Sequence, residues 1–234
     1  VRSPEKCAAT VAAVVERFGR LDVLVNAAAG NFMALAQELG PKGFKTVVDI
    51  DLLGTFNMTH ASIDALSLTK SPRSRPPLAG SPIVINITAT LQYKATPFQA
   101  HASAAKAAID SLTKTLGVEL ACDHGVRVVG IAPGPIAGTE GGPTGRVFGA
   151  VLAGADVADL VPVARWGVPH DIGLAALFLS SSAGAYVNAT DIVADGGQWH
   201  DAARGFRLGR DAISAISQER STKPRGQTAL HSKM

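Results

Sequence analysis

A site that moves protons needs a group to hold one and a charge nearby to tune it. This chain has two residues of those types in unusual surroundings. Asp51 interrupts a largely apolar stretch, Val47-Val48-Asp49-Ile50-Asp51-Leu52-Leu53. It reads either as a proton relay or as a residue at a helix kink. Lys106 stands in an Ala-rich run, His101-Ala102-Ser103-Ala104-Ala105-Lys106-Ala107-Ala108, and Asp110 follows it by one turn, within pairing distance on a helix. His101 is a further acid candidate, although a packed or exposed ring is the expected fate of such a histidine. Tyr93 is expected to stay out of the chemistry. Cys7 and Cys122 lie far apart in helix-like patterns. Their spacing suits neither a zinc site nor a disulfide framework, and they read as buried structural thiols.

The elements that must position these residues are marked by their own punctuation. Ser3, Pro4 and Gly19 bracket an Ala/Val-rich run: an N-cap, a first-turn proline and a glycine stop predict a helix. Residues 21–26 read as a short buried strand. Residues 43–66 predict one long helix, and 71–82 a Pro-rich polar loop. A β-branched strand is expected at 83–88 and a second long helix at 99–121. Another buried strand follows at 126–132. The Gly/Pro-rich stretch 134–167 reads as irregular with a short helix inside it. A helix at 169–181 and a strand at 191–195 complete the pattern. Short apolar strands alternating with helices predict an α/β fold, a parallel sheet with helices on both faces.

Such sheets bind ligands at the carboxyl ends of their strands. Small or turn-forming clusters fall at three predicted strand ends: Asn26-Ala27-Ala28-Ala29-Gly30, Thr88-Ala89-Thr90 and Pro133-Gly134-Pro135-Ile136. Together they predict one ligand cleft. Hydrophobic residues make up 47% and charged residues 18%, which suits a buried core and argues against disorder. No apolar run is long enough to span a membrane. The net charge is +3, but residues 199–234 carry seven Lys/Arg against three Asp/Glu, leaving 15 against 16 in the rest. A basic balance confined to a tail weakens any nucleic-acid reading. The tail reads as a solvated terminus or as a contact for an anionic ligand.

At this level the motifs become specific. DVLVNAAAG, VVDIDLLGTF, IVINITAT, the segment 102–106, VRVVGIAPGPI and DIVADGG occur in order. They resemble the motifs of the short-chain dehydrogenase/reductase family. AAGNF, NITATL, HASAAKAA and APGPIAGTEG narrow the resemblance to the peroxisomal 2,4-dienoyl-CoA reductases. The last three residues, Ser232-Lys233-Met234, resemble a peroxisomal address.

The resemblance implies a Rossmann-type doubly wound sheet in residues 1–198, followed by a basic tail, 199–234. It implies NADPH as cofactor, an acyl-CoA substrate and a homo-oligomer joined through the two long helices. It also implies a peroxisomal import receptor acting on the terminal tripeptide. Asp51 and Lys106 would be catalytic, with Lys106 also on the nicotinamide ribose. Asn26, Ala27 and Gly30 would pass beneath the cofactor. Pro133, Gly134, Pro135, Ile136, Ala137, Gly138 and Thr139 would hold its carboxamide. Phe32 would line the acyl slot, Gly40, Pro41 and Lys42 would face the coenzyme A portion, and Arg2, with Arg146 behind it, would meet phosphates.

Two departures carry meaning. The glycine-rich Thr-Gly-x-x-x-Gly-x-Gly turn of the family is not in this sequence, and Val1-Arg2 resembles residues after the family's third strand. The first βαβ cofactor-binding half is therefore expected to be missing. The family's catalytic Tyr and Ser positions are occupied by Ala102 and Ala89. Loss of that acid argues against carbonyl reduction and fits reduction of a conjugated C=C bond. A carbonyl-reducing member and a non-catalytic acyl-CoA-binding or assembly member are the alternatives.

Overall fold

The computed structural model describes residues 1–67, 82–140 and 154–200, with 142–143, 145, 149, 206, 209–210 and 213–214. The loop expected at 71–82 (save Pro82), Arg146, most of the tail and the terminal tripeptide lie outside the described residues.

Four strands form one parallel sheet in chain order: β1 (Val23–Asn26), β2 (Ile83–Ile87), β3 (Arg127–Pro133) and β4 (Thr190–Ala194). The helices are α1 (Pro4–Phe18), α2 (Pro41–Val48), α3 (Gly54–Leu66), α4 (Ala100–His124), the short α5 (Val157–Leu160) and α6 (Pro169–Ser180). The start of α1 follows its sequence signals. Ser3 Oγ accepts the Lys6 N–H at 3.3 Å, and Gly19 ends the helix in the left-handed region at φ 73°.

Alternation along β2 and β3 sorts the core onto two faces. Val84 and Val128 join Leu24, Leu66, Leu120 and Val126 on the side of α3 and α4. Ile83, Ile85, Val129 and Ile131 meet Leu179 of α6 on the other. Helices therefore cover both faces, as expected. Each fully buried aliphatic side chain contributes about 1.5–3 kcal/mol, so these two clusters hold the sheet to its helices.

Three expectations are corrected. The helix expected at 43–66 starts earlier, at Pro41, and is broken by a π turn, Asp49–Leu53, between α2 and α3. The second long helix runs on to His124, because its left-handed stop is Gly125 at φ 66°. Cys7 is buried but Cys122 is exposed: the latter sits on the outer side of α4.

Candidate functional site

The π turn sets the site. A π turn widens the helix by one residue and is often found at functional sites. Here it contains Asp51, of which only 1% is exposed. One carboxyl oxygen, Oδ1, accepts the Gly30 N–H at 2.7 Å. The other, Oδ2, lies 3.6 Å from Lys106 Nζ. Lys106 projects from α4 to the carboxyl end of β2, where its Nζ donates to the Ile87 carbonyl at 2.9 Å. The partner of Lys106 is thus Asp51, from a distant helix, and not Asp110 one turn away. Burial pushes the Asp51 carboxyl upward, opposed by Lys106 and the Gly30 N–H. Burial pulls the Lys106 ammonium downward, opposed by Asp51. Both groups are pushed toward their neutral forms, which is the condition for a proton to pass along the pair.

The strand ends frame this pair. At β1, the Asn26 amide donates to Thr59 Oγ1 at 3.0 Å and to Asn86 Oδ1 at 2.9 Å, and Asn86 donates to Thr113 Oγ1 at 2.9 Å. The Asn26 amide nitrogen thus ties β1 to β2 and α3, and Asn86 carries the link on to α4. Ala27 is exposed, and a crevice of about 300 Å³ beside it is lined by Asn26, Ala27, Ala28, Gly54 and Thr55. Gly30 is fixed by Asp51 and by Ile50: a Cβ on Gly30 would come 3.1 Å from the Ile50 Cδ1.

Beyond β3 the chain forms a tight loop. The Pro133 carbonyl accepts from the Thr90 N–H at 3.1 Å, and the Gly134 N–H donates to the Ala194 carbonyl at 3.3 Å. Ile136 is buried and bridges Gly167, to whose carbonyl the Ala137 N–H donates at 2.8 Å. Gly138 turns the loop at φ 78°, and Thr139 Oγ1 donates to the Ile136 carbonyl at 2.8 Å. Pro135, Ile136, Asp195 and Gly196 line a second crevice of about 280 Å³. Lys106 reaches the end of β2, the strand between β1 and β3. The expected catalytic and strand-end residues thus share one edge of the sheet.

The donor set fits a nicotinamide ribose. Of the three Lys106 protons, one goes to Ile87 and one faces Asp51, which leaves one for a ligand hydroxyl. Ala89 and Ala102 offer methyl groups where an acid hydroxyl would otherwise project.

Phe32 is half-exposed, its ring edge-on to His101 at 4.3 Å. A Cβ on Gly43 would lie 3.0 Å from the tip of Phe32. Phe32 is thereby joined to the first turn of α2, where Gly40, Pro41 and Lys42 are exposed as N-cap and first helical residues. Arg2 is exposed ahead of α1. Tyr93 leans on Trp199, ring centroids 5.6 Å apart.

Sequence reasoning missed two features. His101 is completely buried and neither ring nitrogen has a hydrogen-bond partner among the described residues. Asp191 of β4 meets Asp110 of α4: the two carboxyls hydrogen-bond each other, and each keeps one oxygen without a donor. A carboxylate in a short apolar strand was the available signal for Asp191.

The family model described as Enoyl-(Acyl carrier protein) reductase matches residues 1–198. The chain belongs to the short-chain dehydrogenase/reductase family. It is 43% identical over 218 residues to the peroxisomal 2,4-dienoyl-CoA reductase [(3E)-enoyl-CoA-producing] of Arabidopsis thaliana, covering 93% of this chain and 71% of the relative. The enzyme of the same name from Danio rerio is 41% identical over 223 residues, 95% of this chain and 69% of the relative. A short-chain dehydrogenase structure from Bacillus anthracis superposes with a TM-score of 0.69 at 34% identity, covering 84% of this chain and 72% of that one. Membership of this family implies a nicotinamide cofactor.

Proposed function

We propose that this short-chain dehydrogenase/reductase reduces 2,4-dienoyl-CoA thioesters to 3-enoyl-CoA with NADPH. The observation that carries the reading is the buried Asp51–Lys106 pair at the strand ends, with Ala102 and Ala89 where carbonyl-reducing members carry hydroxyls. Without that hydroxyl acid, an alkoxide has no proton donor. A conjugated thioester needs no proton transferred to its oxygen. Its electrons run through the diene to the thioester oxygen when hydride adds at C5, and the product forms when a proton is added at C2. Reduced nicotinamide supplies the hydride when bound. Asp51 holds the proton for C2, and Lys106 binds the ribose and tunes Asp51. The relatives named above carry the same activity in their names.

The remaining site assignments belong to the same proposal. Ala27, Gly30 and residues 133–139 border the cofactor, with Asn26 supporting them from below. Phe32 lines the acyl slot, and the exposed N-terminus of α2 at Gly40, Pro41 and Lys42 faces the anionic coenzyme A portion; Arg2 meets a phosphate. Residues 1–198 form the catalytic domain and 199–234 a basic tail, and Ser232-Lys233-Met234 directs the protein to the peroxisome through an import receptor. Exposed Phe56 of α3 and Val118 of α4 suit self-association through the long helices.

The test is oxidation of NADPH with 2,4-hexadienoyl-CoA, using the protein with whatever its reading frame places ahead of Val1. Turnover by the wild type that is lost in Asp51→Ala supports the reading. Turnover with a 3-oxoacyl thioester but not with the dienoyl thioester overturns it.

A further inference from the structure

A buried polar atom without a partner costs about 1–3 kcal/mol, so a group of them needs a reason. Four such atoms lie at the start of α4: Asn31 Oδ1, Gln99 Nε2 and both ring nitrogens of His101. The set is partly knitted, since Asn31 Nδ2 donates to Gln99 Oε1 at 2.5 Å. His101 is the extreme member, with 0% of its surface exposed and no partner on either nitrogen among the described residues. Its aromatic contact among the described residues is Phe32, the ring assigned above to the acyl slot.

Three further observations fix what such an imidazole can do. First, it lies in the opening turn of a 25-residue helix whose N-cap, Gln99, makes no side-chain capping bond. The positive end of that helix favours negative charge nearby. Second, Asp51 is close enough to act on His101 electrostatically, and burial pulls the imidazole downward in pKa. The ring is therefore neutral at pH 7, with one N–H donor and one lone pair. Third, Ala102, the next residue, and Ala89 contribute no donor, and Lys106 is divided between Ile87 and Asp51.

We propose that the His101 imidazole is a catalytic hydrogen-bond donor to the thioester oxygen, with Asn31 and Gln99 completing a polar receptor around the thioester end of the acyl chain. This rests on the dienoyl-thioester reading. Entry of the acyl chain displaces the Phe32 edge and exposes the N–H. Hydride addition at C5 moves the C4=C5 electrons to C3=C4 and the C2=C3 electrons to C1=C2, leaving negative charge on the oxygen at C1. The His101 N–H stabilises that oxygen without surrendering its proton, and the proton that completes the product goes to C2 from the acid side of the site. Oxygen stabilisation and carbon protonation are thus divided between His101 and Asp51.

The experiment compares wild type, His101→Phe and His101→Gln. Phe fills the same space with no donor, and Gln restores one. His101→Phe is expected to lower kcat by about 10²–10³-fold, the usual loss of one oxyanion donor, with KM changed by less than about threefold. His101→Gln is expected to recover most of it. Raman difference spectra of 2,4-hexadienoyl-CoA labelled with ¹³C at C1, bound without reductant, provide a readout apart from turnover. The carbonyl stretch should fall on binding to wild type and return to its free value in His101→Phe. If wild type does not consume the dienoyl thioester, the reductase reading itself falls, and this one with it. If wild type turns over and His101→Phe matches it within about threefold, the role of His101 alone is refuted. Should His101→Phe fail to fold, an unshifted carbonyl band in wild type is equally decisive against it.

Discussion

Replacing Asp191 by Asn should change how stability depends on pH, and the structure gives the size and sign. Asp191 stands on β4 opposite Gly130 of β3 and leans over that glycine, where a Cβ would be 1.7 Å from its Oδ1. There it hydrogen-bonds Asp110, which also accepts from Gln92 Nε2 at 2.8 Å and lies near Tyr93. Lys114 faces the pair, and Lys106 lies one turn away. Two carboxyls in contact, Asp110 buried and Asp191 half-buried, share a proton, and burial together with Asp110 pushes Asp191 up to about 7. A raised carboxyl keeps its proton in the folded state over a range where the unfolded chain has lost it. Stability therefore falls as pH rises from the ordinary value of 3.8 to about 7 and is level above that. A fully responding group would lose about 1.4 kcal/mol for each pH unit. Asp191 is only half-buried, and with solvent screening about 2 kcal/mol of the whole window survives. The replacement asparagine has no proton to lose and can donate its amide to Asp110. Thermal melts of both proteins at pH 5, 6, 7 and 8 cover about two-thirds of that window, so Asp191→Asn should gain about 1.3 kcal/mol on wild type across the series, about 3–5 °C. Parallel curves for the two proteins would refute the shared proton.

The Gly130 notch supplies a second check: Gly130→Ala should destabilise by more than about 2 kcal/mol, and adding Asp191→Ala should return most of the loss, read from urea midpoints as a double-mutant cycle. Asn86→Ala strands the amide of Asn26 and the hydroxyl of Thr113, so a loss of about 2–4 kcal/mol is expected by denaturant unfolding. In Asp51→Asn, kcat for dienoyl-CoA reduction should fall about 10²-fold or more while thioester binding holds; unchanged kcat in stopped-flow turnover removes Asp51 from the chemistry. Disulfide-exchange labelling should consume one thiol quickly, at exposed Cys122, and leave buried Cys7 protected until unfolding.

What the sequence made legible was everything set by local chemistry. Ser3, Pro4 and Gly19 mark both ends of α1, and short apolar or β-branched runs locate all four strands. The cluster at each strand end announced a cleft. The π turn at Asp49–Leu53 showed only as the alternative of a kink at Asp51, because it keeps the apolar pattern of the helices it joins and has no residue signature of its own. Cys122 escaped because a helix-like pattern shows which positions share a face but not which face is outward, and here the outer one carries the thiol.

The missed electrostatics have a different origin, in register. Parallel pairing sets Asn26 beside Asn86, Asn86 beside Gly130 and Gly130 beside Asp191. That row crosses the four strands on the face covered by α3 and α4, and it carries the buried amides and the half-buried acid. A slip of one residue on β4 would send Asp191 to the α6 side and dissolve the pair with Asp110. Gly130 is then intelligible as the position that must lack a side chain so that Asp191 can lie across it. The same holds for Asp51 and Lys106, 55 residues apart and joined only because the π turn and the end of β2 meet. Residue types announced that proton chemistry was possible in this chain, but which acid faces which base is a property of the folded register.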